Sequence, residues 1–340
     1  MAYTTIKKPS DYFNTKLYTG TGSSNALTGV GFQPDWTWIK CRDDTHNHQV
    51  FDAVRGVHKR MRTDTNGAET TSNESLKTFD SDGFTLGTQT NVNQSSGTFA
   101  SWNWLANGAG SANTDGSITS TVSANTTSGF SIVSWTGTGA NATIGHGLGS
   151  VPKMILLKCR TQADKWIVYH NSIGNTKYLV LNENDAETTS STHWNNTSPT
   201  NSVFSTGSSG NVSGVGETFI AYCFSGKIGY SKFGSYTGTN GLNFIYTGMK
   251  PKFCMFKRTD SADNWKILDS ARSTFNIMNE TLSADTSSAE ASESDVYVDF
   301  LSNGIRLDGT NGAINASGGS YIYMCFAEEP LVGDNPATAR

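Results

Sequence analysis

His46-Asn47-His48 sets two imidazoles on one side of an extended segment, because side chains alternate with a period of two in such a backbone. That spacing chelates transition metals, although two nitrogens leave the coordination shell incomplete. A trimer with this loop on its axis would supply six nitrogens, and a metal at His46 and His48 is expected only in that arrangement. Otherwise the pair is a solvated turn. A second group is His193-Trp194-Asn195-Asn196-Thr197, an aromatic beside amides and a hydroxyl in a polar stretch. His193, Trp194, Asn195 and Asn196 are expected to contact a glycan, as a flat ring beside hydrogen-bonding groups does. The alternative is that Trp194 folds back onto its own domain. Third, Asp52-x-x-Arg55 recurs as Asp269-x-x-Arg272, while a middle copy carries His170 and Ile173. A pair that one copy discards is expected to be a structural ion pair or a turn rather than a catalytic dyad.

Other motifs fail on context. Gly137-x-Gly139-x-x-Ala142 follows a predicted strand but leads into Gly145-His146-Gly147-Leu148-Gly149 and another strand, not into the helix whose N-terminus would hold a phosphate. Asp80-Ser81-Asp82-Gly83 is a fragment of a calcium loop without its distal bidentate glutamate. There is no Gly-x-Ser-x-Gly elbow, and no carboxylate pair recurs in equivalent places. The reading is a chain with no catalytic residues and no cofactor.

The elements that must position these groups come from a threefold internal repeat. Phe130-Ser131-Ile132-Val133-Ser134-Trp135-Thr136-Gly137-Thr138-Gly139, followed by Pro152 to Arg160, has counterparts at Tyr18-Thr19-Gly20-Thr21-Gly22 with Pro34 to Arg42 and at Tyr236-Thr237-Gly238-Thr239 with Pro251 to Arg258. The runs Trp36 to Arg42, Met154 to Arg160 and Phe253 to Arg258 are largely apolar on both alternating faces, the pattern of an inner strand covered on two sides. Each copy closes on a second alternating run: Phe99 to Trp104, Phe219 to Phe224 and Tyr321 to Phe326. Trp36, Trp38, Trp102 and Trp104 therefore align with Met154, Leu156, Tyr222 and Phe224, and with Phe253, Met255, Met324 and Phe326. Large apolar residues at every one of these positions mean packed core, not a sugar platform.

The fold class expected is all-β, three tandem, internally repeated antiparallel β-sandwich modules in a row with few helices. The boundaries are an N-terminal arm over 1–11, repeats over 12–106, 129–226 and 227–330, a Gly/Ser/Thr-rich linker over 107–128 with a short strand through Ile118 and Val122, and a tail over 331–340. The Ser/Thr/Asn-rich stretches around 64–78, 184–202 and 279–294 read as loops.

Composition excludes several classes of function. The 340 residues carry 25 Lys and Arg against 29 Asp and Glu, a net charge of -4, which leaves no basic footprint for nucleic acid. Five cysteines sit singly inside apolar runs and read as small buried hydrophobes rather than a disulfide framework. No apolar run reaches a membrane span, and Met1 to Lys8 lacks the apolar stretch of a secretory signal.

Three stretches carry a resemblance: Ser10 to Gly20, Trp102-Asn103-Trp104-Leu105-Ala106-Asn107-Gly108-Ala109-Gly110, and Tyr321-Ile322-Tyr323-Met324-Cys325-Phe326-Ala327-Glu328-Glu329-Pro330-Leu331-Val332-Gly333. Through them the whole chain resembles a repeat-domain family of marine tailed-bacteriophage virion proteins, described as tail fibre-like or tail structural proteins. The resemblance implies a virion component assembled in the host cytoplasm and located at the tail. It implies other virion proteins as partners, a homotrimer by analogy with phage fibres, and a host surface glycan as ligand, with no nucleic acid and no membrane insertion. Recognition would fall to the loops near His46 to His48 and Ser191 to Thr197. The alternatives are a capsid decoration or tail scaffold protein without ligand, and a glycan-degrading tailspike enzyme.

Overall fold

The computed structural model describes residues 4–334 and 336–338. It is all-β, built from antiparallel sheets. Among the described residues the helices are one 3-10 turn and three single-turn α-helices, Thr90–Asn93, Gly210–Ser213 and Gly312–Asn315. None is long and apolar enough to cross a membrane.

One strand order occurs three times. Phe13–Thr19, Thr98–Trp104, Trp36–Cys41 and Gln49–Asp52 form the first large sheet; Phe130–Thr136, Thr218–Phe224, Met154–Cys159 and Ile167–His170 lie in the same order in the second; Ser231–Thr237, Ser320–Pro330, Met249–Arg258 and Lys266–Asp269 do so in the third. Each large sheet carries a small one across one face. These are Asn25–Thr28 with Gly83–Leu86 and Leu76–Asp80, then Ala142–Gly145 with Val203–Thr206, then Asn243–Tyr246 with Gly304–Leu307 and Val298–Leu301.

Both faces of the large sheets are buried, for two different reasons. One face packs on the unit's own small sheet: Ile39, Cys41 and Phe99 with Leu27, Phe84 and Leu86 in the first unit, Ile155 and Leu157 with Ile144 and Phe204 in the second, Cys254 and Phe256 with Ile245 and Ile305 in the third. The opposite faces meet one another. All twelve large apolar positions aligned from the repeat lie in a single central cluster. Trp36 of the first unit stacks on Tyr222 of the second with centroids 4.4 Å apart, and Phe224 of the second lies 5.9 Å from Phe326 of the third. Phe13 of the first lies 5.0 Å from Phe326. The units are therefore not beads in a row but three walls around a shared core. The alternation of strands makes this possible, since each run presents one residue set inward and the other outward, and a one-residue slip would exchange them.

Two boundary expectations are refined by this arrangement. The short strand expected within 107–128 runs through Val122 as Ser120–Asn125, with Ile118 only bridging Ile144, and together with Ser111–Asn113 it extends the second large sheet beside Phe130–Thr136. The N-terminal arm is not purely polar surface either: Ile6 is buried in the central cluster, and the Asp334 amide donates to Lys7 O at 3.4 Å. Of the expected arm and tail, Met1–Tyr3, Asn335, Ala339 and Arg340 lie outside the described residues.

Candidate functional site

The Asp-x-x-Arg positions lie where one unit meets the next, and they form a cyclic set. Asp52 of the first unit accepts from Tyr222 Oη of the second at 2.7 Å. His170 of the second reaches the Tyr323 carbonyl of the third at 3.3 Å, and Asp269 of the third accepts from Trp102 Nε1 of the first at 3.1 Å. Trp102, Tyr222 and Met324 are equivalent positions. Where the neighbour offers an N–H or O–H the acceptor is an aspartate, and where it offers Met324, which has no donor, the aspartate is replaced by His170. His170 Nδ1 accepts from the Ser172 amide at 3.2 Å, so Nε2 carries the proton given to Tyr323 O. Arg55 and Arg272 are buried against Asp52 and Asp269 and also donate to the Val50 and Ile267 carbonyls. The pairs are structural, and they join units as well as turns.

His48 belongs to a second cyclic set. It stands fourteen residues after Pro34, as Trp166 does after Pro152 and Trp265 after Pro251. Trp166 Nε1 donates to Arg62 O at 2.7 Å and Trp265 Nε1 to Val180 O at 2.9 Å, each across a junction. His48 Nδ1 accepts from Trp38 Nε1 at 2.8 Å, which leaves Nε2–H to donate to Ser283 O at 3.0 Å. Both ring nitrogens are used, and burial together with the nearby Lys40 charge holds the imidazole well below its ordinary pKa. His46 instead meets Gln94 Oε1 and lies 3.8 Å from Asp44. The expected metal pair His46 and His48 is thus not assembled: one imidazole is a core donor in the place of a tryptophan, and the other is half-buried against Gln94.

The glycan group at residues 193–196 is corrected in the same way. Trp194 is 1% exposed and packs edge-on against Tyr169 at 5.6 Å. His193 is buried, stacked on Tyr178 with centroids 3.9 Å apart, and burial pushes its pKa down to about 4. Asn195 and Asn196 adopt positive φ at the turn, where asparagine is tolerated, and Asn195 Oδ1 accepts from Asn141 Nδ2 at 2.8 Å. The ring is a plug for its own unit, so no stacking platform is presented there.

Among the described residues one cysteine-carboxylate group has metal-ligand spacing, Cys159, Asp164 and Glu217, whose donor atoms lie within 4.8 Å of one another. Burial raises the Cys159 thiol, which keeps it protonated and a poor ligand at neutral pH.

Exposed aromatic surface concentrates on the third unit. On its small sheet Phe244 is 50% and Tyr246 52% exposed, flanking buried Ile245. The register places Ala26 and Thr28 in the first unit and Thr143 and Gly145 in the second at these two positions. Arg306 lies opposite Phe244 and Asp299 opposite Arg306. Tyr246 also borders a groove of about 360 Å³ lined by Lys153, Lys227, Ile228, Lys232 and Phe233. Lys232 Nζ sits 5.2 Å from the Tyr246 ring centroid, within cation–π range. Three ammonium groups and exposed rings side by side suit an anionic ligand with flat apolar faces. Sequence reasoning passed over this site because each aromatic alternates with a buried residue like any strand position. The signal was a comparison of copies, with large aromatics where the other two carry small residues.

The fold and junctions define the class of protein: an all-β chain whose units close around one core. It belongs to the family described as Domain of unknown function (DUF7483), which it matches over residues 8–330. No curated protein matches the chain.

Proposed function

We propose that the chain is a non-catalytic structural component of a phage particle, a tail fibre or tail-tip protein, whose third unit attaches to an acidic glycan on the host surface. The observation that carries this reading is the groove lined by exposed Tyr246 with Lys153, Lys227, Lys232 and Phe233. Aromatic faces stack on sugar rings and ammonium groups pair with carboxylates or phosphates. The resemblance described above supports the virion setting, with other virion proteins or further copies of the chain as assembly partners. Residues that ordinarily do chemistry, Asp52, Arg55, His48 and His193, are engaged in holding the units together or filling them.

A second reading follows from the same surface: in a decoration or scaffold protein the exposed aromatics would be an assembly contact rather than a receptor site. Competition separates the two. Purified chain is expected to inhibit phage adsorption, and Tyr246→Ser with Lys232→Ser is expected to lose that inhibition at least about tenfold while staying folded, the scale of losing a stacked ring and a charge partner. Equal inhibition by the variant, or none by either protein, would sink the attachment reading.

A further inference from the structure

At two of the three junctions a carboxylate is held between two guanidiniums. Glu69 meets Arg55 of its own unit at 3.3 Å and Arg160 of the next at 3.0 Å. Glu290 meets Arg272 at 2.7 Å and Arg42 of the first unit at 2.6 Å. Arg160 also donates from Nη1 to Ser134 Oγ at 3.3 Å. The backbone fixes the third member of the set: Glu69 N donates to Arg160 O at 2.8 Å, Glu290 N to Arg42 O at 2.7 Å, and Glu187 N to Thr259 O at 2.8 Å. Thr259, not Arg258 as the sequence alignment has it, therefore occupies the arginine position, and Ile173 occupies the other. Both guanidiniums are missing at this junction and their acceptors remain. Glu187 is the carboxylate, and Ser235 matches Ser134, paired with Ile322 as Ser134 is with Ile220.

The missing side chains leave a cavity of about 460 Å³ lined by Ile173, Lys177, Glu187, Ser235, Thr259 and Tyr321 among others. Lys177 covers one Glu187 oxygen. Its counterpart in the first unit, Lys59, turns instead to Thr71 Oγ1 at 2.8 Å while Arg55 and Arg160 hold Glu69, so the fold accommodates a lysine there that stands aside when guanidiniums take the carboxylate.

We propose that this cavity binds a guanidinium-bearing ligand, either a small molecule or an arginine side chain of a partner, in the place that Arg160 and Arg42 fill at the other junctions. A planar fork reaches Glu187 and Ser235 together, which an ammonium point charge does not. The site is separate from the Tyr246 groove and does not depend on the attachment reading.

The test is calorimetric titration of the full chain with ethylguanidinium, ethylammonium and a blocked pentapeptide holding one central arginine. Ethylguanidinium is expected to bind at least about tenfold more tightly than ethylammonium. Glu187→Gln is expected to abolish binding, and Thr259→Arg to abolish it while the thermal midpoint stays equal or rises, because an internal guanidinium takes the site. Lys177→Met is expected to tighten binding several-fold by removing the competing ammonium. A peptide tighter than ethylguanidinium assigns the site to a partner's arginine, and a weaker one assigns it to a small molecule. Equal binding of the two cations, unchanged binding by folded Thr259→Arg, or no saturable binding of any guanidinium probe overturns the proposal.

Discussion

Tyr222 Oη and the Asp52 carboxylate are buried together, with the Arg55 guanidinium 3.3 Å from the same hydroxyl. Deleting that hydroxyl strips a donor from a buried carboxylate, so Tyr222→Phe is expected to cost about 1–3 kcal/mol in urea denaturation. The middle copy makes a sharper test. His170→Asp restores the residue found in the other two copies, yet there it would face Met324 with Ile173 in place of the arginine. A buried carboxylate with backbone amides of its own turn as donors but no side-chain donor and no counter-ion is expected to cost about 3–5 kcal/mol, and adding Ile173→Arg and Met324→Tyr is expected to return most of it. A stable single variant would refute the account of why that copy differs. The replacement was legible as a lost pair. Its reason was not, because Met324 lies in the next unit and only the closed arrangement brings the two together.

Titration at the same scale gives a signed prediction. Burial holds His170 and His193 at about 4, while unfolded histidine titrates near 6.5. The unfolded chain binds protons first, so this contribution to stability is present at pH 7 and is lost as pH falls from about 6.5 to about 4. Lys40, Lys158 and Lys257 are equivalent, buried, and donate to backbone carbonyls at 2.6, 2.7 and 2.8 Å. Burial lowers each to about 8 from 10.5. The folded chain releases these protons before the unfolded chain does, so each lysine contributes stability that rises from pH 8 towards pH 10, by up to about 1.4 kcal/mol per pH unit. Burial raises Cys41, Cys159, Cys223 and Cys254 as it raises Tyr222, so the thiols from about pH 8.5 and the tyrosines from about pH 10 act in the opposite sense, resisting ionisation that the unfolded chain accepts. The lysine contribution is read by difference: the thermal midpoint of Lys158→Met is expected to fall relative to that of the parent chain as pH rises from about 8 to about 10, and a difference that stays constant with pH would contradict the sign.

The element scale explains the Thr-Gly-Thr-Gly turn. The single-turn helix before each closing strand ends on a residue that clamps it: Asn93 accepts from the Thr21 amide at 2.8 Å and donates to Gly87 O at 2.7 Å, and Asn315 accepts from the Thr239 amide at 2.9 Å and donates to Gly309 O at 2.9 Å. Gly20 and Gly238 must lack Cβ, since one would fall 2.1 Å from Gln94 O and 2.2 Å from Ala316 O. The second copy uses Ser213, whose hydroxyl donates to Ala140 O at 3.1 Å. Asn93→Ala is expected to cost about 2 kcal/mol by leaving buried backbone groups unpaired, read as a lower urea midpoint with an unchanged slope; a shift under about 0.5 kcal/mol would mean that the turn stands without its clamp. The helices themselves were invisible to periodicity because four residues make a single turn with no repeat to detect. The inner and closing strands were legible, since apolar runs after Pro34, Pro152 and Pro251 recur in all copies.

At the scale of the whole molecule, a sequence with both strand faces apolar admits two arrangements: separate sandwiches, each wrapped by its own sheets, or units that cover one another. Local pattern does not choose between them, which is why a row of modules was the sequence expectation. The central cluster, joined by Trp36 with Tyr222 and by Phe224 with Phe326, and the junction bonds of Glu69, Glu187 and Glu290 make the second choice. An isolated unit would expose one full aromatic face, each large side chain losing about 1.5–3 kcal/mol of burial. The two proposed sites rest on asymmetry: the third unit's exposed Phe244 and Tyr246 and the junction lacking two arginines are departures from a shared plan, and both are found only by comparing the copies. Differential scanning calorimetry of the intact chain tests the shared core most directly. One transition whose van't Hoff enthalpy equals the calorimetric enthalpy is predicted, whereas separate transitions, or a van't Hoff enthalpy near one third of the calorimetric value, would show three independent modules and contradict it.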